Sequence, residues 1–325
     1  MQPESVNVSL GTAVVLGLAD APVACLPTTA YLMLGGRCRL DCAFCAQARD
    51  SRAGALQLSR VTWPEFPLWA VVERLRMTAG RGTLLRACLQ VTASAAAPQE
   101  ALAVLRAVKA VCEVPFDLAI LPRDVDQVRA LVRAGADHIG FGLDAACERI
   151  FRQVKGGRWE RSLVLIEQTA QAFPGRAAVH LIAGLGETER ELVERIQWAY
   201  DLGVTTGLFA FTPVPGTRLA KRPAPAVASY RRLQAAQWLI AHGESRLEKM
   251  QFEADGRLVG FGAALPHDGS PFRTSGCPDC NRPYYNERPG GTLYNYPRPL
   301  TPEEAARALA EVGQADEGRG SRDDR

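Results

Sequence analysis

The chain has 325 residues, 47% of them hydrophobic, with nine cysteines and a formal net charge of +3. That length suits one large α/β domain with additions or two smaller ones, and so small a charge, with no dense basic run, gives no case for a nucleic-acid partner. No run of about 18 apolar residues is present to span a membrane, and Met1-Gln2-Pro3-Glu4 lacks the basic-then-apolar order of a signal peptide, so the cysteines point to a reducing cytoplasm where thiols bind metal rather than pair.

Residues 1–24 hold one short apolar run, 12–18, and no catalytic pattern; Cys25 follows in Val23-Ala24-Cys25-Leu26-Pro27. From residue 30 the chain alternates β-type runs with helical spacing. Strands are expected over 30–34, 83–92, 116–121, 138–143, 178–183 and 205–211. Helices are expected over 64–77, 98–112, 124–134, 158–173, 187–202 and 224–242, two of them ended by Gly135 and Gly203. Six strands alternating with helices imply a parallel sheet with right-handed crossovers. Six units fall short of an eight-fold barrel, so an α/β fold, a partial (β/α)6 TIM-type barrel, is expected over 28–245. Chemistry in such barrels sits at the C-terminal strand ends. Around the barrel lie an N-terminal extension, 1–27, and a C-terminal extension, 246–310, rich in Gly, Pro and polar residues. The tail 311–325 is charged and free of aromatics, and is expected to be disordered.

The first strand runs through Gly35-Gly36 into Cys38-Arg39-Leu40-Asp41-Cys42-Ala43-Phe44-Cys45. Three thiolates at C-x₃-C-x₂-C spacing on one loop bind three irons of a [4Fe–4S] cube and leave the fourth open to a small molecule. A zinc loop would bring paired C-x₂-C units or Cys/His mixtures, and no His lies between Met1 and Ala136.

Other strand ends carry further candidates. Asp144, after Gly142-Leu143, can accept hydrogen bonds from both hydroxyls of a ribose, or it can cap the next helix. Gly184-Leu185-Gly186-Glu187-Thr188 is a Gly-x-Gly turn that lets backbone approach a ligand, with an anion-favouring helix start behind it. His138 and His180 lie on strands and are assigned no role. Near the C-terminus, Cys277-Pro278-Asp279-Cys280 presents two sulfurs to one metal on a Gly/Pro-rich loop. Two cysteines do not complete a cube. Cys25, on an extension able to wrap to the same barrel end, and Ser275, an oxygen donor, are the candidate further ligands; a zinc knuckle pinning the extension is the alternative. Cys88, Cys112 and Cys147 read as buried thiols.

The cysteine loop, with aromatic Phe44 before its last cysteine, resembles the signature of the radical S-adenosylmethionine (SAM) enzymes, in which SAM chelates the open iron. The leader Thr29-Ala30-Tyr31-Leu32-Met33-Leu34-Gly35 and the Gly184–Thr188 turn are similar to biotin synthase and lipoyl synthase. That resemblance implies SAM contacts from Phe44, Asp144, Arg161, Gly184, Gly186 and Glu187. Biotin synthase carries auxiliary-cluster cysteines on its second, third and fifth barrel strands; Cys88 matches the first of these, but strands three and five carry none and position 178 is Ala. Single-protein lipoyl synthase has an N-terminal cysteine triplet that is absent here, since Cys25 stands alone, while Arg273-Thr274-Ser275 is loosely similar to its serine motif. The whole chain most resembles the two-protein type of lipoyl synthase, on the strength of Cys277-Pro278-Asp279-Cys280-Asn281-Arg282-Pro283-Tyr284-Tyr285-Asn286-Glu287.

The resemblance implies reductive cleavage of SAM by the Cys38/Cys42/Cys45 cluster. Hydrogen abstraction from an octanoyl chain follows, and sulfur comes from an auxiliary [4Fe–4S] cluster on Cys277 and Cys280. The implied partners are an octanoylated lipoyl carrier domain or glycine-cleavage H protein, a second radical SAM component, and reduced ferredoxin or flavodoxin. The Arg/Tyr-rich segment 282–298 is the candidate docking surface for the carrier. The rival expectations are another radical SAM reaction, biotin synthase-like or in cofactor maturation, and a non-catalytic iron–sulfur partner subunit.

Overall fold

A computed structural model describes residues 3–314 of the protein. In chain order, β1 (Ser5–Val8) and α1 (Leu10–Val15) precede β2 (Thr29–Leu34). A small ribbon, β3 (Gln57–Leu58) with β4 (Val61–Thr62), leads to β5 (Glu65–Pro67) and α2 (Leu68–Ala79). The repeating part follows: β6 (Arg86–Val91), α3 (Ala97–Lys109), β7 (Phe116–Ala119), α4 (Val125–Arg133), β8 (His138–Asp144), α5 (Glu148–Val154) and α6 (Trp159–Ala172). It continues with β9 (Ala177–Ala183), α7 (Glu189–Asp201), β10 (Thr205–Ala210) and α8 (Val227–Ala241). A second ribbon, β11 (Gln251–Phe252) with β12 (Leu258–Gly260), and a terminal helix, α9 (Pro302–Val312), complete the described chain.

One eight-stranded sheet runs in the order β10-β9-β8-β7-β6-β2-β1-β5. From β2 through β10 all neighbouring pairs are parallel, as the alternating sequence predicts. The sheet is not closed by hydrogen bonds: it is a partial TIM-type barrel. The sequence reading lacked α1, both ribbons and α9, and residues 65–67, expected at the start of a helix, form β5. The N-terminal segment adds β1 antiparallel to β2, with β5 antiparallel to β1. A helix, α5, precedes α6 in the crossover between β8 and β9.

Alternation along the strands divides the residues between two faces. On β2, Ala30, Leu32 and Leu34 join the main core under the helices, whereas Tyr31 and Met33 pack with Trp63 in a separate group. On β6, Ala87 and Leu89 are in the main core, while Arg86, Cys88 and Gln90 line the barrel interior. Helix starts follow local capping chemistry: Thr188 and Glu191 form a capping box on α7, and Thr301 and Glu304 form one on α9.

The free edge of β10 is covered by side chains rather than by another strand. Gln237 on α8 donates to Thr206 O at 2.8 Å, and Tyr230 donates to Leu208 O at 3.2 Å. From the C-terminal extension, Ser275 Oγ accepts from Leu208 N at 3.0 Å and Asn286 donates to Ala210 O at 2.7 Å. The extension therefore closes the gap that a complete barrel would fill with strands. Buried Arg231 holds it there, donating to Leu293 O and Tyr294 O and pairing with Glu311 at 2.8 Å. Of the tail expected to be disordered from residue 311, Glu311 and Val312 belong to α9, and residues 315–325 lie outside the described residues. No described helix is long and apolar enough to cross a membrane.

Candidate functional site

The loop after β2 is fastened to the C-terminal strand ends on several sides. Gly35 has φ +90°, and a Cβ there would collide with Thr92 Oγ1, so the exit from β2 requires glycine. Arg39 N donates to Ala93 O at 2.8 Å, just beyond β6. Ala43 N donates to Val154 O at the end of α5, and Arg52 N donates to Gly216 O at 2.8 Å beyond β10. A tight turn joins the last two cysteines, Cys45 N donating to Cys42 O at 3.1 Å. Cys38 Sγ accepts from Leu40 N at 3.4 Å and Ala93 N at 3.3 Å. Burial, reinforced by the neighbouring thiols, pushes Cys42 up to about 12 and Cys45 up to about 11. Such thiols stay protonated until a metal replaces the proton.

Cys38, Phe44 and Cys45 open onto a cavity of about 570 Å³ that occupies the barrel interior. Asp144 closes β8 with φ +65°, a left-handed conformation that Asp tolerates better than most residues. It pairs with Lys155 at 2.7 Å, with both side chains largely buried. Burial alone would lower the Lys155 ammonium; the Asp144 carboxylate leads the opposing influences, and the lysine is held above its ordinary value. Lys155 sits just beyond α5, an element the sequence reading lacked, and nothing in its local pattern marks it.

Deeper in the barrel, Arg86 Nη1 bonds Asp117 Oδ1 at 2.8 Å, and His138 Nδ1 lies 3.0 Å from the same oxygen. Arg86 Nε reaches Pro278 O at 2.9 Å and so ties the Cys277–Cys280 loop inside the barrel. Arg282 enters the lumen as well, its guanidinium 3.8 Å from the Phe209 ring centroid and 2.6 Å from Ser275 O. Cys88, Cys277 and Cys280 all face this cavity.

Other candidates stand elsewhere. Arg161 is an exposed residue of α6 whose Nη2 bonds Arg123 O at 3.3 Å, and it does not line the cavity. Neither do Gly184, Gly186 and Glu187. Glu187 accepts from Gly184 N at 2.6 Å and Leu185 N at 3.0 Å, so its carboxylate closes its own turn. A Cβ on Gly184 would lie 2.9 Å from Pro225 Cδ, and one on Gly186 2.8 Å from Arg222 Nη2, so each glycine lets a neighbouring side chain approach. The Ser275 hydroxyl is engaged by the β10 edge and does not line the cavity. Cys25 stands at the cavity rim, with Sγ 3.7 Å from Leu26 O and Arg298 as its charged neighbour. Cys112 is in the main core, and Cys147 is packed against it at the start of α5.

The family model described as "Radical SAM superfamily" matches residues 32–199, more than half of the chain. The chain belongs to this superfamily. A search of curated proteins found no match. Among solved structures, the FeFe-hydrogenase maturase HydG from Carboxydothermus hydrogenoformans superposes with TM-score 0.53 at 13% identity, over 66% of this chain and 51% of that one. Methylornithine synthase (PylB) superposes with TM-score 0.50 at 14% identity, over 63% of this chain and 61% of that one. The chain thus spans about half to three-fifths of the length of these two structures, and the likeness concerns the fold.

Membership of the radical SAM superfamily implies a [4Fe–4S] cluster and SAM, and the donors present fit them. Three thiols lie on one anchored loop at the strand ends, beside a cavity large enough for a nucleoside and more. In this radical SAM enzyme Cys38, Cys42 and Cys45 would hold the cluster. The Asp144 carboxylate, fixed by Lys155, faces the same space.

Proposed function

We propose that the protein inserts sulfur into the octanoyl chain of a lipoyl carrier domain, or of a glycine-cleavage H protein, acting together with a second radical SAM protein. A reduced ferredoxin or flavodoxin would supply the electron. The observation that carries this reading is the return of Cys277 and Cys280 into the barrel lumen, facing the cavity that the cluster loop overlooks. A zinc knuckle that merely pinned the extension would have no need to enter the reaction chamber.

When bound, the loop cluster and SAM supply a primary carbon radical able to take hydrogen from a saturated chain. The chain's own residues have separate tasks. Asp144 with Lys155 offers a fixed, charged hydrogen-bond acceptor at the mouth. Met33, Ile182 and Phe209 give the lumen an apolar wall for an acyl chain. The lower thiols are set back from the loop: five residue steps, the first three within β6, lead from Cys88 to Ala93, which at about 3.3 Å per extended residue is at most about 16 Å. That leaves room for SAM and substrate between them.

Iron and acid-labile sulfide are measured on anaerobically reconstituted protein, wild type beside a Cys38→Ala/Cys42→Ala/Cys45→Ala variant. About four irons should remain in the variant, as one cube requires. Wild type with its second component should then convert an octanoylated carrier. A variant holding no iron would remove the sulfur source and leave a radical SAM reaction without a donor cluster.

A further inference from the structure

Cys88 is set between Tyr31 on β2 and Asp117 on β7, its registered neighbours on either side. The cysteines of the returning loop come down on these same two residues. Cys280 Sγ lies 3.4 Å from the Tyr31 hydroxyl, and ligand atoms of Cys277, Asp117 and His138 all lie within 4.8 Å of one another. Cys88 and Cys280 also pack against one apolar group formed by Tyr31, Met33 and Trp63. Strand register on one side and loop return on the other therefore bring three sulfurs around one region of the lumen.

We infer that Cys88 is the third protein ligand of the lumen cluster, joining Cys277 and Cys280 in the place the sequence offered to Cys25. This inference rests on the reading above, that a second cluster exists. Cys25 remains at the rim, directed to the Leu26 carbonyl and Arg298.

The surroundings suit a cube held by three thiolates. Such a cube carries net negative charge, and the lumen supplies Arg86 and Arg282. Gln90 Nε2 donates to Cys88 Sγ at 3.1 Å, and amide donors of this kind on ligating sulfurs tune cluster potential. Asp117 Oδ2 is buried without a hydrogen-bond partner; as an acceptor-only oxygen it calls for a donor or a cation, and it favours the cube no more than a single metal ion. A single metal ion on Asp117, His138 and Cys277 is the competing arrangement. It has the unpartnered Asp117 Oδ2 to use, but it accounts less well for the site as a whole, because it leaves Cys88 and Cys280 unused.

The test starts from the full chain carrying Cys38→Ala/Cys42→Ala/Cys45→Ala, so that only the lumen site binds iron. Adding Cys88→Ser should lower bound iron from about four per chain to below one after desalting, and Cys25→Ser should leave it unchanged. A labelling experiment needs no change at Cys88: with a thiol reagent and peptide mass analysis, Cys88, Cys277 and Cys280 should be protected in the reconstituted triple variant and labelled after chelation. Protection of Cys277 and Cys280 with Cys88 still labelled, or about four irons retained by Cys88→Ser, would overturn the ligand assignment and leave the second cluster standing. One zinc or iron per chain, kept by Cys88→Ser and lost with His138→Ala, would establish the mononuclear site instead. No iron at all in the triple variant would overturn the reading beneath both.

Discussion

Lys155 Nζ lies 2.7 Å from Asp144 Oδ2, with only 11% and 14% of the two side chains exposed. The pair joins the end of β8 to the residue after α5 and stands beside the Cys42 and Cys45 thiols. Removing the cation leaves a largely buried carboxylate alone, a loss of about 3 kcal/mol for a pair of this kind. Lys155→Met should therefore lower the stability of the apo protein by that order in urea unfolding. Asp144→Asn/Lys155→Met should recover part of it. Additive losses in this cycle would mean that the two side chains do not interact.

Gly216 has φ +87°, and a Cβ there would meet Ala53 N at 2.5 Å and Arg52 C at 2.6 Å. Those are backbone atoms of the segment that follows the cluster loop, and Gly216 O also holds Arg52 N. Gly216→Ala should displace the segment, destabilise by about 1–3 kcal/mol, and reduce iron loading at Cys38, Cys42 and Cys45. Wild-type thermal stability together with wild-type iron content would contradict this account.

Arg86 makes a fork, with Nε on Pro278 O at 2.9 Å and Nη1 on Asp117 at 2.8 Å. An ammonium does not reproduce two such directed bonds. Arg86→Lys should keep the barrel but loosen the Cys277–Cys280 loop, raising the rate of limited proteolysis within 276–290 several-fold. An unchanged cleavage pattern would mean that the loop is held by other contacts.

His180 lines the cavity, and burial lowers it to about 4 from an ordinary 6.5. The unfolded chain takes up a proton near 6.5, whereas the folded chain resists until about 4. This contribution to stability is complete above pH 6.5 and is lost as the pH falls through that window. Its ceiling is about 3 kcal/mol, reduced because the cavity admits water. In apo protein, His180→Gln should lessen the drop in urea stability between pH 7 and pH 5. An identical drop in variant and wild type would refute the assignment.

Much of the fold was legible because its signals are periodic and local. Each of the six parallel strands falls within two or three residues of an apolar run read from sequence, and Gly135 and Gly203 follow α4 and α7 closely. Among the elements not read, α5 is only seven residues long, too short for its apolar period to stand out. Lumen residues were harder to read. Arg86, Cys88 and Gln90 alternate as a polar face within a strand, a pattern that announces a lined interior without saying what meets it.

What the sequence determined by itself is the chemistry at the barrel mouth. The Cys38–Cys45 spacing lies within one loop, so ligand geometry follows from a few backbone angles and is written in adjacent residues. Only the tertiary structure decided which distant groups share the chamber. Arg86 reaches Pro278 across 192 residues of sequence, and Cys88 faces Cys280 only because a C-terminal loop covers the open edge of β10 and turns inward. The protein contacts of Arg161 and of the Gly184–Glu187 turn are long-range or conformational in the same way, and no local spacing reveals them. Strand register and loop return set these contacts, and both depend on long-range hydrogen bonds rather than on any residue's immediate neighbours.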